Sequence, residues 1–149
     1  MTIIIKNKQT LSFKEFTLKC CIGRNGSTSK KKEGDKKTPK GTFSIDKLYI
    51  RNDRIKVPET NLKIIKIRKN MGWCDDVNAK LKYNKMVNIK ENVHYEKLFR
   101  EDNKYDLLIP IKYNWKNPKV PKGSAIFIHL TKNYRETLGC IALKKNDLL

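Results

Sequence analysis

Histidine is scarce in this chain of 149 residues, which holds only His94 and His129. Proton transfer near neutral pH therefore has two candidate imidazoles, and His-rich metal binding is excluded. Cysteine is nearly as sparse, with Cys20, Cys21, Cys74 and Cys140 and no CxxC pair. A structural zinc site draws its ligands from such closely spaced pairs, so no metal and no cofactor are expected. Neighbouring residues of a strand point to opposite faces, which makes Cys20 and Cys21 poor disulfide partners. Reduced thiols are the expectation, with Cys74 structural.

Long apolar runs are also missing. The start, MTIIIKNKQTLSF, has three consecutive isoleucines before Lys6 and Lys8 intervene. It lacks the longer apolar core and small-residue cleavage site of an export signal. No stretch approaches the roughly 18 apolar residues that cross a membrane as a helix. A cytoplasmic protein with no membrane partner is the reading. The pattern GxxxxGK[ST] is absent, which excludes that phosphate-binding loop.

Acidic residues are few as well, 15 against 34 Lys and Arg, for a net charge of +19. Such an excess suits a partner that carries many phosphates. Only six of the basic residues are arginine, the side chain better suited to bidentate contact with phosphate or guanine. Lysine, with abundant Asn and Ile, reads as a solvating surface shaped by A/T-rich codons, so no specific nucleic-acid partner is expected. A basic nucleic-acid-binding β-domain stands as the alternative from another class.

What the chain does have is short apolar, β-branched runs between turn signals, at residues 2–5, 16–22, 42–50, 62–67, 107–113 and 125–130. This spacing predicts one mainly β domain over residues 1–149, a sandwich or barrel with one or two short helices. A first hairpin turns at Asn7, Lys8 and Gln9. One helix is predicted over residues 91–100, with Val93, Leu98 and Phe99 on its apolar face. Residues 23–41, GRNGSTSKKKEGDKKTPKG, form the main irregular segment. Their Gly-Arg, Gly-Asp and Thr-Pro-Lys-Gly punctuation suggests a shaped loop, and loops held by strands often carry binding groups.

The last quarter, GSAIFIHLTKNYRETLGCIAL, carries the chemistry. An apolar run ends in His129, and a Thr-Leu-Gly-Cys turn places Cys140 before a second apolar run. A thiol and an imidazole at the ends of two strands can meet as nucleophile and base, although a cysteine beside Ile141, Ala142 and Leu143 also suits a core. His94, among polar neighbours in VHYEKLF, reads as solvated or partly packed.

CCIGRNG, KKEGDKKTPKGTF, MGWCDD, KYNKMV, YDLLIPIKYNW, GSAIFIHL and TLGCIAL together span nearly the whole chain. In this pattern it resembles the L,D-transpeptidase catalytic domain family, YkuD-like cysteine enzymes acting on peptidoglycan stem peptides, and within it the short branch without an export signal. His129, Thr137, Gly139 and Cys140 occupy the family's histidine and Ser/Thr-x-Gly-Cys positions. Leu138 stands where many members have histidine, and Ala142 where many have arginine or asparagine. The resemblance implies that Cys140 attacks the carbonyl on the L-centre side of an L–D peptide bond, with His129 as base, oriented by a backbone carbonyl. Backbone N–H groups from Leu138 to Cys140 are the oxyanion donors it suggests, Gly139 allowing close approach. Arg24 is a candidate for a substrate carboxylate. Trp73, Asp75, Asp76, Tyr83 and Asn84 are candidate cleft residues, the acidic pair for a diamino acid's amino group. Trp73 equally suits core packing, and Asp75-Asp76 a turn. Lys32 and Asp35 are alternatives for pinning the loop. The implied partner is a tetrapeptide stem. Its hydrolysis would make an L,D-carboxypeptidase of cell-wall recycling, and passage of the acyl group to an amine would make a transpeptidase.

Overall fold

The computed structural model describes residues 2–149. Its strands are β1 (Ile3–Ile5), β2 (Thr10–Phe13), β3 (Phe16–Cys21), β4 (Ser27–Thr28), β5 (Thr38–Pro39), β6 (Leu48–Ile50), β7 (Ile64–Lys66), β8 (Met71–Cys74), β9 (Met86–Asn88), β10 (Tyr95–Lys97), β11 (Leu107–Pro110), β12 (Phe127–Leu130) and β13 (Ile141–Leu143). One short helix, α1 (Lys145–Leu148), follows the last strand. Eight strands form an open sheet in the order β1-β2-β3-β13-β12-β11-β6-β7, three form a second in the order β10-β8-β9, and β4 pairs with β5. The mainly β expectation holds, and the first hairpin joins β1 to β2 as the sequence suggests.

Alternation along the strands sorts the side chains into two apolar layers. From β11, β12 and β13, Leu107, Ile109, Ile128, Leu130, Ile141 and Leu143 join one cluster with Leu48 and Ile50 of β6. The opposite face sends Tyr49, Leu108, Phe127 and Cys140 into a second cluster with Trp73 of β8 and Leu98. Phe127 is fully buried there, edge-on to Trp73 with centroids 5.3 Å apart and edge-on to Tyr105 at 5.9 Å. These contacts bind the small sheet to the large one. Cys20 faces the first cluster, while Cys21 lines the groove on the other face, as neighbours in a strand must.

The helix expected over residues 91–100 is not formed. Tyr95–Lys97 is strand β10, antiparallel to β8, and Leu98 N–H donates to the Met71 carbonyl at 3.1 Å. Three apolar residues made too narrow a helical face to compete with a ladder along the edge of β8. Each expected strand is shorter than its apolar run: 42–50 contributes only Leu48–Ile50, 62–67 only Ile64–Lys66 and 107–113 only Leu107–Pro110.

Replacing Phe127 with Ala should cost about 3–5 kcal/mol of unfolding free energy, the range for emptying a large aromatic site. Urea unfolding of the two proteins measures it.

Candidate active site

Two neighbouring parallel strands bring thiol and imidazole to one face. In the β12 and β13 pair, His129 stands opposite Ala142 and Ile128 opposite Ile141. Cys140, one residue before β13, shares the Ala142 face by the two-residue strand period, and so faces the same way as His129. Both line a groove of about 1640 Å³.

His129 is 6% exposed, and its Nδ1 lies 2.9 Å from the Leu130 carbonyl oxygen. A carbonyl only accepts, so the neutral ring carries its proton on Nδ1 and keeps the Nε2 lone pair free. Burial chiefly, with the charges of Lys104 and Arg100, lowers the His129 pKa to about 4 against the opposing pull of its hydrogen bond to the Leu130 carbonyl and of Asp102. The Cys140 thiol is also buried; it donates to the Ala125 carbonyl at 3.2 Å and accepts from the Phe127 N–H at 3.4 Å. Burial first, then the charge of Glu96, pushes its pKa well up, while the Phe127 N–H and Lys31 pull the other way. The resting site thus holds a neutral thiol and a neutral imidazole.

The turn before Cys140 is clamped from both sides. Thr137 Oγ1 donates to the Cys140 carbonyl at 2.6 Å and accepts from Gly139 N–H at 3.1 Å. Gly139 has φ +142°, and an added Cβ would stand 3.0 Å from the Lys37 carbonyl oxygen, so the turn requires glycine. The irregular segment supplies that neighbour and more: the buried Thr38 donates to the Gly139 carbonyl at 2.8 Å and accepts from Gly23 N–H at 2.9 Å. Arg24 N–H donates to the Thr137 carbonyl at 2.9 Å, while its guanidinium is exposed beside the groove, 4.0 Å from Glu136. Asp35 does pin the segment, through Lys31 Nζ at 2.5 Å and the N–H groups of Lys32 and Lys37 at 2.8 and 2.9 Å. Lys31, not the Lys32 side chain, is its ionic partner.

Arg24, Asp75 and Thr137 line the groove with Cys140 and His129, whereas Trp73, Asp76, Tyr83 and Asn84 do not. Trp73 is core, and its Nε1–H donates to Asn84 Oδ1 at 2.9 Å. Asp76 takes the N–H groups of Asn78 and His94 at 2.9 and 3.0 Å, the turn role the sequence also allowed. Asn84 is buried and fully used, accepting from Ala125 N–H at 3.1 Å and donating to the Tyr113 and Asn114 carbonyls at 3.0 and 2.7 Å. It braces the residue whose carbonyl holds the thiol. Tyr83 OH donates to Glu33 at 2.5 Å, and Ser124 Oγ joins the same carboxylate at 2.6 Å. Asp75 binds His94 Nδ1 at 2.5 Å; the His94 side chain is 78% exposed.

Tyr105, Glu96, Lys31, Glu33 and Thr38 escaped sequence reasoning. Each lies far from Cys140 in sequence, and only Thr38, in the Thr-Pro-Lys-Gly series, carried any local signal. Among the described residues, no three His, Cys, Asp or Glu side chains converge as a metal site.

A family model, YkuD, L,D-transpeptidase catalytic domain, matches residues 1–149, so the chain belongs to that family. Its members are cysteine-dependent enzymes that act on peptidoglycan peptides. No curated protein and no solved structure matches the chain.

The folded chain keeps His129 neutral down to about 4, while an unfolded histidine protonates near 6.5. Between those values the unfolded state binds the extra proton, so His129 contributes stability that is complete above the upper value and lost as pH falls, by up to about 3 kcal/mol. Urea midpoints at neutral and mildly acidic pH should therefore fall more steeply for the wild-type protein than for His129→Gln.

Proposed function

We propose that this protein is an L,D-carboxypeptidase that removes terminal D-alanine from peptidoglycan tetrapeptide fragments in cytoplasmic cell-wall recycling. The observation that carries this reading is the shared face: Cys140 and the free Nε2 of His129 open on one groove, with Arg24 tied to the cysteine turn. A guanidinium at that place suits the terminal carboxylate of the substrate, which a carboxypeptidase must recognise.

In the proposed reaction, His129 Nε2 takes the thiol proton as Sγ of Cys140 attacks the carbonyl carbon preceding D-alanine. The thiol gives up its bond to Ala125 to do so. General-base transfer during attack suits this pair better than a standing thiolate, because burial opposes both charges. Gly139 N–H is already bonded to Thr137, so we assign the oxyanion to the N–H groups of Leu138 and Cys140. Collapse breaks the C–N bond, and the imidazolium protonates the departing amine. Water then attacks the thioester with His129 again as base, releasing the tripeptide acid and restoring the thiol.

Passage of the acyl group to an amine would use the same thioester.

Mass spectrometry of a diaminopimelate-containing tetrapeptide incubated with the protein should show loss of one D-alanine, abolished in Cys140→Ala. Release that survives in the variant would end the assignment. With D-methionine added, hydrolysed product should exceed exchanged product; the reverse would mark a transpeptidase. The acid limb of kcat/KM should lie near 4, where His129 protonates, and not near 6.5.

A further inference from the structure

The hydrogen bond that orients His129 is donated by its Nδ1–H to the carbonyl of its own neighbour, Leu130. One such bond selects the tautomer, yet an imidazole turns about two side-chain bonds, and a single contact at Nδ1 leaves its plane free to rock about that contact. General-base transfer depends on where the Nε2 lone pair points, so a second restraint on the ring has catalytic weight.

The second restraint is Tyr105. Its ring stands edge-on to the imidazole, centroids 5.3 Å apart and planes at 72°, and the side chain is 4% exposed. Tyr105 lies two residues before β11, and its backbone is held by its neighbours: Leu130 N–H donates to the Lys104 carbonyl and Arg51 N–H to the Asp106 carbonyl, both at 2.9 Å. Its side chain is anchored separately, the hydroxyl donating to the Glu96 carboxylate. Glu96 sits in β10, directly opposite Trp73 of β8. The tyrosine ring also meets Phe127, centroids 5.9 Å apart, and the Arg100 guanidinium, 5.1 Å from its centroid. A chain of contacts thus runs from the small sheet, through a carboxylate and a phenol, to the imidazole on the large sheet.

We propose that Tyr105, anchored by Glu96, is the positioning residue for the His129 base. The inference rests on the reading of His129 as general base given above. Glu96 and Tyr105 hold the ring plane, while Leu130 holds the tautomer. The small sheet, whose edge strand supplies Glu96, acts on the reaction through this contact.

The test uses Tyr105→Phe, Tyr105→Leu, Glu96→Gln and Glu96→Ala in the full chain, checked for native unfolding midpoints. Tyr105→Leu should lower kcat by about tenfold to a hundredfold with KM nearly unchanged, as loss of geometry alone predicts. Tyr105→Phe keeps the ring and loses the anchor, so its loss should be smaller. Glu96→Gln retains an oxygen for the phenol and should keep more activity than Glu96→Ala. With only two histidines in the chain, ¹⁵N-labelled imidazole spectra resolve His129 from His94. Wild type and Tyr105→Leu should both show the Nδ1–H tautomer at His129, which Leu130 sets, while ¹³C relaxation of the labelled ring should show its C–H bonds less ordered in Tyr105→Leu. Unchanged ring order at His129 in a folded Tyr105→Leu protein overturns the proposal, whatever its rate. If wild type does not cleave the tetrapeptide, the substrate reading fails separately. The rate of Cys140 alkylation by iodoacetamide, read by peptide mass mapping, then takes the place of kcat: slowing in the Tyr105 variants supports the positioning role, and an unchanged rate overturns it.

Discussion

The parallel pairing of β12 with β13 is the constraint on which the site depends. Its register sets His129 beside Ala142, and the two-residue period then puts Cys140 on the same face, so a slip of one residue would bury the thiol in the opposite core. Parallel neighbours usually need a crossover of about a dozen residues or more, commonly a helix. Here residues 131–140 return the chain without one. The return is held instead by polar clamps: Thr137 closes the cysteine turn, Thr38 ties it to the irregular segment, and Thr131 N–H reaches the Leu143 carbonyl at 2.7 Å. Residues 23–41 are thus one wall of the site, their position set by the hydrogen bonds that the crossover needs.

Burial does two things to the reacting pair. It withdraws the charged form of each, leaving thiol and imidazole neutral, and it removes the water that would weaken the dipoles around them. A standing ion pair would need compensation from charged neighbours. The groove offers Glu96 and Lys31, with opposite effects on the Cys140 thiolate. These partly cancel, which leaves proton transfer to be driven by attack on the substrate. Fixed geometry then matters more than a perturbed resting charge, and the surroundings of Ala125 show where it comes from: Asn84 fills four hydrogen bonds, two accepted and two donated, in holding that backbone and Trp73.

What the sequence made legible followed from period and punctuation. β12 reads as FIHL, with alternate residues in opposite layers, and Gly139 marks the turn that only glycine fits. The thiol and the imidazole were found because each stands at the end of such a run. Residues 91–100 misread because their pattern was too sparse to separate helix from edge strand, and pairing with β8 decided the matter. Trp73, Tyr83 and Asn84, which the sequence offers as cleft residues, lie beneath the groove, bracing Ala125 and Glu33 from the core side. Residue type says that an amide or a phenol will seek partners, while only the folded chain says which side of the wall they are on. Tyr105 and Glu96 carried no local signal, because their meeting depends on two sheets packing together.

The two departures from the common family pattern have separate physical consequences. Leu138 is 69% exposed at the lip of the groove, so its change from histidine replaces a titratable rim with an apolar one. Ala142 is 1% exposed, opposite His129 on one side and Cys21 on the other. A guanidinium or amide there would lie on the same strand row as the imidazole. With alanine, the floor beside His129 is a methyl group and a thiol that bonds the Arg135 carbonyl at 3.2 Å. No charge from β13 acts on the base at that point. Its proton affinity is set by burial and by the cations of Lys104 and Arg100, against the Leu130 carbonyl and Asp102, and its direction by Leu130 and the ring of Tyr105.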